Sequence, residues 1–335
     1  MVKVFVYEYG SGGGLINRPS HNPLMYQGEL MLRALISDLA ALPGIDIITM
    51  RDPQLPLLEL PAPVFIVTSD AHADDCFNDC LLTADAVWPI APECAGILER
   101  LSLKIVGSNR ILLGSSPDAV RIASSQMLTA QTLSRAGIPI SDTYLPSDVL
   151  PDGVDAWVAK SDHGAGFSAT QIFHGAEHAL VWIEESGEEN YVLQPFIHGS
   201  PCGLSLLCCG GVAHVLSCDE QRIAVRNNRF HYLGTRVNRI SHAAVECRGL
   251  ARAIAAAIPG LWGFVGVDFI MTKAGPVVLG ICPRITASYA GLHASIGRNP
   301  AGLVLELLET KLGLDPPLFE KIVVNVDADP KPGTR

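Results

Sequence analysis

Gly280-Ile281-Cys282-Pro283-Arg284-Ile285-Thr286 decides how this chain is read. The stretch follows two apolar runs, residues 264–271 and 276–279, and Asp268 lies inside the first. Adjacent strands that each carry an acid at matched depth build a cation and phosphate site, because a hard cation needs oxygen donors at fixed distance. Here the first strand brings its acid. The second brings Gly280 and Cys282, then Pro283 and Arg284.

A carboxylate in an apolar strand is costly unless it is paired or metal-bound. Asp268 therefore has two readings, a phosphate or metal ligand and one half of a buried ion pair, with Arg284 as its candidate partner. Arg284 itself suits a phosphate or carboxylate through its bidentate fork.

Working outward, the 335 residues are long for one core and suit two or three packed subdomains. Hydrophobic residues make up 48% and charged residues 17%, which excludes a disordered chain. The formal net charge of −10 argues against nonspecific nucleic-acid binding, which needs clustered Lys and Arg. No apolar run reaches the ~18–20 residues of a membrane helix, so no membrane role is expected. The N-terminal apolar run is too short for a signal segment and reads as a first strand. Nine cysteines, with no Cys-x-x-Cys pair, read as buried thiols of a cytoplasmic protein rather than a disulfide frame or a zinc site.

The first ~115 residues alternate strand and helix patterns. Residues 2–7, 45–49, 64–68, 86–89 and 104–106 read as strands, 26–42 and 92–101 as helices. Such βα units predict a parallel sheet covered on both faces. Ser116-Pro117-Asp118 caps a new helix, and another spans 125–136. Strands follow at 156–160 and 191–196 around a helix at 176–185. Gly210-Gly211 marks a hairpin between 204–209 and 212–218. A long helix spans 244–258, and helices near 288–294 and 301–312 follow the two site strands. The tail from 327 reads as loose.

Several residues carry candidate chemistry. Gly10–Gly14 follows the first strand, where glycines let backbone N–H groups approach an anion. A plain tight connection is the equal alternative. Glu8 and Ser11, with Gly12 and Gly13, make substrate contact there plausible. Lys160 ends a strand before a Gly-rich turn and could reach a nucleotide phosphate, against the reading of a solvated lysine. Gln194-Pro195-Phe196-Ile197 lies one helix and one strand later, where backbone groups could read an adenine edge. Arg222, Arg226, Arg229, Arg236 and Arg239 crowd the stretch after the hairpin, either for an acidic substrate or as a solvated loop. His163, His198 and His231 have no ligand spacing.

In this order the motifs resemble the ATP-grasp superfamily over nearly the whole chain. Within it they are most similar to the tyramine–glutamate ligase-like branch associated with methanofuran-type cofactor synthesis. The resembling pieces are Tyr7-Glu8-Tyr9 with the glycine loop, Ile90-Ala91-Pro92-Glu93, Gly114-Ser115-Ser116, and Pro283 to Tyr289. The resemblance implies mixed α/β and α+β architecture. A parallel N-terminal domain (1–115) would lie on the substrate side. A first lobe (116–200, with a helical linker at 116–140) and a second lobe (201–326) would grip ATP, ahead of a flexible tail (327–335). It implies a carboxylate–amine ligase that activates a small-molecule carboxylate as an acyl phosphate for attack by an amine, with a homodimer as the assembly to be looked for. Lys160 would then bind phosphate, Gln194, Phe196 and Ile197 would line the adenine pocket, Asp268 would hold Mg²⁺, and Arg284 would be the catalytic residue at the phosphate or acyl group.

The chain departs from the family pattern at known places. Ser124-Ser125-Gln126 replaces Ser-Asp-Lys, Ser161 replaces a Pro, and Pro195 a Glu. Gly280 and Cys282 stand where the second strand usually has Glu and Asn. Hard Mg²⁺ prefers oxygen to a thiol. These losses raise a rival expectation, a degenerate family member that binds a ligand or partner without catalysis. A third is an α/β binding protein that does not use ATP.

Overall fold

A first strand with the continuous apolar run Val4-Phe5-Val6-Tyr7 belongs in the middle of a sheet covered on both faces. In the computed structural model, which describes residues 1–16, 23–55, 61–164, 170–187, 190–240, 244–310 and 322–328, β1 (Val2–Glu8) takes that place. It is buried from Val4 onward. The chain continues through α1 (Pro23–Ala40), β2 (Ile45–Arg51), β3 (Val64–Ile66), α2 (Asp70–Thr83), β4 (Ala86–Ile90), α3 (Ile97–Gly107) and β5 (Ile111–Leu112). The strands pair in the order β3-β2-β1-β4-β5, all parallel. Because Glu8 pairs with Ile90, the glycine segment after β1 and Pro92-Glu93 after β4 leave the same C-terminal edge side by side.

One expected strand is corrected. Residues 104–106 lie within α3. Leu98, Ser102 and Ile105 are buried while Leu103 and Val106 are about half exposed, a helical period that the short apolar pair Ile105-Val106 disguised. The fifth strand is Ile111–Leu112 instead.

The second part begins with α4 (Pro117–Ser124) and α5 (Gln126–Arg135). It continues through β6 (Ala156–Ser161), β7 (Gln171–His174), α6 (Ala176–Ser186), β8 (Tyr191–Pro195), β9 (Ser200–Cys209), β10 (Val212–Arg226) and β11 (Arg229–Val237). It ends with α7 (Ala244–Ala257), β12 (Gly263–Thr272), β13 (Gly275–Cys282), α8 (Tyr289–Ile296), α9 (Pro300–Glu306) and β14 (Val324–Asp327). Its sheet runs β13-β12-β9-β10-β11-β7-β6-β8, with β14 on β11. Gly210 and Gly211, at φ +57° and +80°, close the β9–β10 turn, as a two-residue hairpin requires. The arginine-rich stretch is a second hairpin and not a loop. It turns at Asn227-Asn228, both left-handed. Arg222 pairs with Asp327, and Arg236 and Arg239 with Glu220. Three of the five arginines are thus matched by acids of the sheet itself.

α7 backs this sheet with Cys247, Leu250, Ala251, Ile254 and Ala255, which pack on Leu204, Leu206, Val265 and Val267. A second core joins the two parts. Val4, Val6, Leu32, Leu35 and Ile36 pack with Phe264, Ile285, Tyr289, Leu292 and Ile296. Asp38 of α1 accepts from His293 Nδ1 at 2.6 Å, and its carbonyl accepts from Asn299 Nδ2 at 2.7 Å. Asp327 is not loose: it pairs with Gly234 in β14, while 329–335 lie outside the described residues. Among the described residues no helix is long and apolar enough to cross a membrane, and the nine cysteines are free.

Gly234 has φ +124°, and a Cβ there would overlap the Val326 carbonyl oxygen where β14 crosses. Gly234→Ala is therefore expected to lower stability by about 2–3 kcal/mol, through overpacking and a strained φ. Urea unfolding measures it.

Candidate functional site

Strand register sets the floor of the site. Asp219 (β10), Gly203 (β9), Asp268 (β12) and Gly280 (β13) form one row across four strands, and Ser217, Ser205, Gly266 and Cys282 form the next. Residues paired in register share a face. The three glycines leave bare backbone between the polar groups. Gly203 lets Gln221 reach across β9, and its amide donates to Asp268 Oδ1 at 2.5 Å.

On the other side of Asp268, Gly280 offers no side chain. The amide of Gln126 stands 3.8–3.9 Å from where a Cβ at 280 would lie. Gln126 opens α5, whose first turn is fixed by Asp162. Ser125 Oγ and the Met127 N–H both donate to that carboxylate at 2.8 Å.

Lys160 extends from β6 to the Leu279 carbonyl of β13, at 3.4 Å. Burial pushes its pKa down to about 8, and Asp268 and Asp162 oppose that shift. Arg284 donates to Glu93 Oε2 at 2.7 Å and to the Ile285 carbonyl at 3.0 Å. Burial works against its charge, but Glu93 outweighs it through charge and hydrogen bond and holds the guanidinium protonated. Burial raises the Asp268 pKa, Gln221 opposes, Glu93 adds, and Lys160 and Arg284 draw it back. The Cys282 thiol is pushed well up by burial, then by Asp268 and Glu93, so it stays a neutral thiol.

Lys160, Asp268, Cys282, Arg284 and Glu93 thus act on one another where β12 and β13 meet the edge of the parallel sheet. Gln194 is a diagonal neighbour of Lys160 on the β6–β8 pair, but its amide is occupied by Thr143 Oγ1 at 2.8 Å. Phe196 stacks on Phe230 (6.4 Å, 8°) and meets His198 edge-on, with Ile197 half-buried beside it. Glu8 is 5% exposed. It accepts from the backbone N–H of Gly10 at 3.0 Å and Ser11 at 2.5 Å, so the glycine segment carries its own internal anion. Gly12 packs under the Tyr7 ring, which a Cβ would approach to 2.7 Å, and Gly13 takes φ +107°. These contacts favour the tight-connection reading of that segment. Burial raises the Glu8 pKa, the hydrogen bonds from Ser11 and Gly10 oppose it, and Glu29 of α1 adds to it.

The donor set does not fit Mg²⁺ in the family manner. Asp268 Oδ1 is engaged by Gln221, Gly280 supplies nothing, and Cys282 is a protonated soft donor. Among the described residues no group of three His, Cys, Asp or Glu is arranged for a metal. Glu93, Gln221 and Asp219 were missed as site residues in the sequence. Glu93 alone had a signal, an acid just past a parallel strand where open α/β sheets bind ligands.

The fold and these strands have known counterparts. Residues 123–288 match the family model of the ATP-grasp domain, and residues 45–120 match that of the pre ATP-grasp 3 domain. The chain belongs to the ATP-grasp superfamily and has its fold, with a pre-ATP-grasp domain at the N-terminal side. It is similar to tyramine–L-glutamate ligase of Methanocaldococcus jannaschii, 31% identical over 218 residues, which cover 63% of this chain and 59% of that protein. The chain thus spans less than two thirds of that relative. It is also similar to the protein of the same name from Methanocaldococcus fervens, 24% identical over 86% of this chain and 89% of that one. A crystal structure of an ATP-grasp superfamily protein from Archaeoglobus fulgidus shares the fold with TM-score 0.71 and 24% identity, covering 91% of this chain and 88% of its own.

Lys160 yields a test of the electrostatics. Its pKa is near 8 folded and 10.5 unfolded, so between those values the unfolded chain binds more protons and wild-type stability rises with pH. Lys160→Met is expected to abolish that rise. At pH 7 it should add about 2 kcal/mol of stability, a figure discounted because the side chain keeps some solvent contact. Urea unfolding between pH 7 and 10.5 checks both.

Proposed function

We propose that the chain is an ATP-dependent carboxylate–amine ligase acting on a small amino-acid-like substrate. In such a reaction ATP phosphorylates a carboxylate, and an amine displaces phosphate from the resulting acyl phosphate. The catalytic demand is charge neutralisation and alignment. The observation that carries the reading is the convergence of two buried cations, Lys160 and Arg284, from opposite lobes onto the Asp268 strands. In this reading Lys160 holds the transferred phosphate and Arg284 faces the acyl phosphate. Phe196 and Ile197, behind Gln194, bound the adenine. The edge carrying Glu93 and the segment Glu8, Ser11, Gly12, Gly13 bounds the substrate. The names of the relatives support L-glutamate and tyramine as the first pair to try, and the resemblance of the motifs adds a place in methanofuran-type cofactor synthesis.

A second reading, a family member that binds nucleotide or another ligand without turnover, is favoured by one observation. Gln126 and Gly280 face each other as a neutral pair where the family has Lys and Glu.

Calorimetric titration with ATP and ADP, with and without Mg²⁺ or Mn²⁺, tests both, together with phosphate release in the presence of L-glutamate and tyramine. The ligase reading expects ATP binding with weak metal dependence and amine-dependent phosphate release. Gly280→Glu with Cys282→Asn, which restores two oxygen donors, should tighten Mg·ATP at least about tenfold, the effect of roughly 1.4 kcal/mol. Nucleotide binding without turnover in any variant would favour the second reading. Tight Mg·ATP binding unchanged by the double substitution would move the cation away from Asp268.

A further inference from the structure

One buried acid in the floor of the cleft has no part in the roles above. Asp219 is 2% exposed and shares its row with Asp268, across Gly203. Its Oδ1 accepts the Asn238 N–H at 2.9 Å. Its Oδ2 accepts from Ser205 Oγ at 3.3 Å. Ser205, fully buried, lies 3.0 Å from Ser288 Oγ, and Ser288 lies 2.8 Å from Thr286 Oγ1. Thr286 stands over bare Gly266: a Cβ there would come 2.6 Å from Thr286 Cγ2 and 3.3 Å from Cys282 Cβ. An unbroken line of hydroxyls therefore runs from Asp219 to a half-buried threonine beside Cys282 and two residues from Arg284.

The direction of this line follows from hydrogen-bond chemistry. A carboxylate only accepts, and a hydroxyl has one proton to donate and two lone-pair sites. Ser205 must donate to Asp219, so it accepts from Ser288. Ser288 must donate to Ser205, so it accepts from Thr286. Thr286 has then given its proton inward and presents a lone pair outward.

We propose that Asp219, acting through Ser205 and Ser288, fixes Thr286 Oγ1 as an acceptor in the cleft, where it takes the N–H and then the proton of the attacking amine. This rests on the ligase reading. As the amine nitrogen bonds to the acyl carbon, the carbon–oxygen bond breaks and its electron pair leaves with phosphate. The amine proton passes to Thr286, the Thr286 proton to Ser288, that of Ser288 to Ser205, and that of Ser205 to Asp219. The stored proton then returns along the same line to the departing phosphate. Thr286 is the catalytic residue of this step, and Asp219 and Ser288 are positioning residues.

The electrostatics suit a temporary proton store. Burial lifts the Asp219 carboxyl to about 6, against the hydrogen bonds from Asn238, Ser217 and Ser205, and efficient proton transfer needs a group near the working pH. The titratable groups around it are Tyr232 of β11, Cys202 of β9 and, across Gly203, Asp268. Tyr232 is pushed up by burial, Asp268 and Asp219. Burial first, with Asp219 among the lesser causes, raises Cys202 to about 11. Both stay neutral near pH 6.

The experiment separates the two half-reactions. Wild type, Asp219→Asn, Ser288→Ala and Ser288→Thr are given ATP and each proteinogenic amino acid as carboxylate. Hydroxylamine, a weakly basic nucleophile that needs little help in losing its proton, traps the acyl phosphate as a hydroxamate. Amide formation is followed in parallel with whichever of tyramine and the amino acids reacts fastest. The proposal expects hydroxamate formation within about threefold of wild type in every variant. The kcat for amide should fall about a hundredfold in Asp219→Asn and Ser288→Ala, with the amine KM little changed and activity restored in Ser288→Thr. The wild-type amide rate should rise with pH through about 6 as Asp219 ionises, and Asp219→Asn should lack that inflection. Equal losses of hydroxamate and amide, or no loss of either, would overturn the relay and leave the ligase reading standing. A wild type that forms no hydroxamate from any carboxylate would overturn the ligase reading and the relay with it.

Discussion

Arg284 and Glu93 meet at 2.7 Å, with side chains only 16% and 7% exposed. A buried charge without a partner is strongly destabilising, while a hydrogen-bonded pair is tolerated. Glu93 hangs from the edge of the parallel sheet and Arg284 from the end of β13, so the pair bridges the two sheets. The core that α1 shares with α8 and the Asp38–His293 contact join the same two parts on the far side. Burial raises the pKa of both the Cys282 thiol and the Asp268 carboxyl, and Glu93 and Arg284 act on each as lesser, opposing influences.

Glycine shapes the rest of the cleft. Gly203, Gly266 and Gly280 sit in adjacent register rows, and their missing side chains open a trough between polar neighbours. Gln221 enters it at one end, the Gln126 amide at the other, and Thr286 lies over its middle. The same bare backbone that leaves room for a ligand removes donors that a divalent cation would use. Positive charge comes instead from Lys160 and Arg284, held in low-dielectric surroundings where a fixed charge acts more strongly than in water.

Much of the fold was legible because its signals are local. The apolar run of β1, the Ser116-Pro117 cap and the Gly210-Gly211 turn each follow from a few neighbouring residues, and the Pro283–Thr286 stretch carried the superfamily resemblance. Where local signals conflict, the reading failed. Ile105-Val106 looks like a strand until the burial of Leu98, Ser102 and Ile105 is known. Arg222 to Arg239 looks like a loop because its acidic partners, Glu220 and Asp327, come from other parts of the sheet. Of the candidate site, the residues that the sequence singled out and the structure brings together are Lys160, Arg284 and Asp268. Glu93, Gln221 and Asp219 were not singled out, because each owes its place to a register between distant strands or to the docking of two sheets. Glu8 shows the reverse: prominent in sequence beside its glycines, it is held by its own backbone.

The lobe formed by β6, β7, β8 and α6 has a small core of its own, around Trp157, Phe173, Ile183, Tyr191 and Leu193. Among the described residues, β7 meets β11 through the single register pair Arg229 and Gln171. A unit with a private core and a narrow seam opens at far lower free energy than the whole molecule unfolds. Lys160 rides on that unit, while Arg284 is anchored to the main body. The two cations of the cleft are therefore carried by separate cores, and each is fixed by its own contact, Lys160 by the Leu279 carbonyl and Arg284 by Glu93.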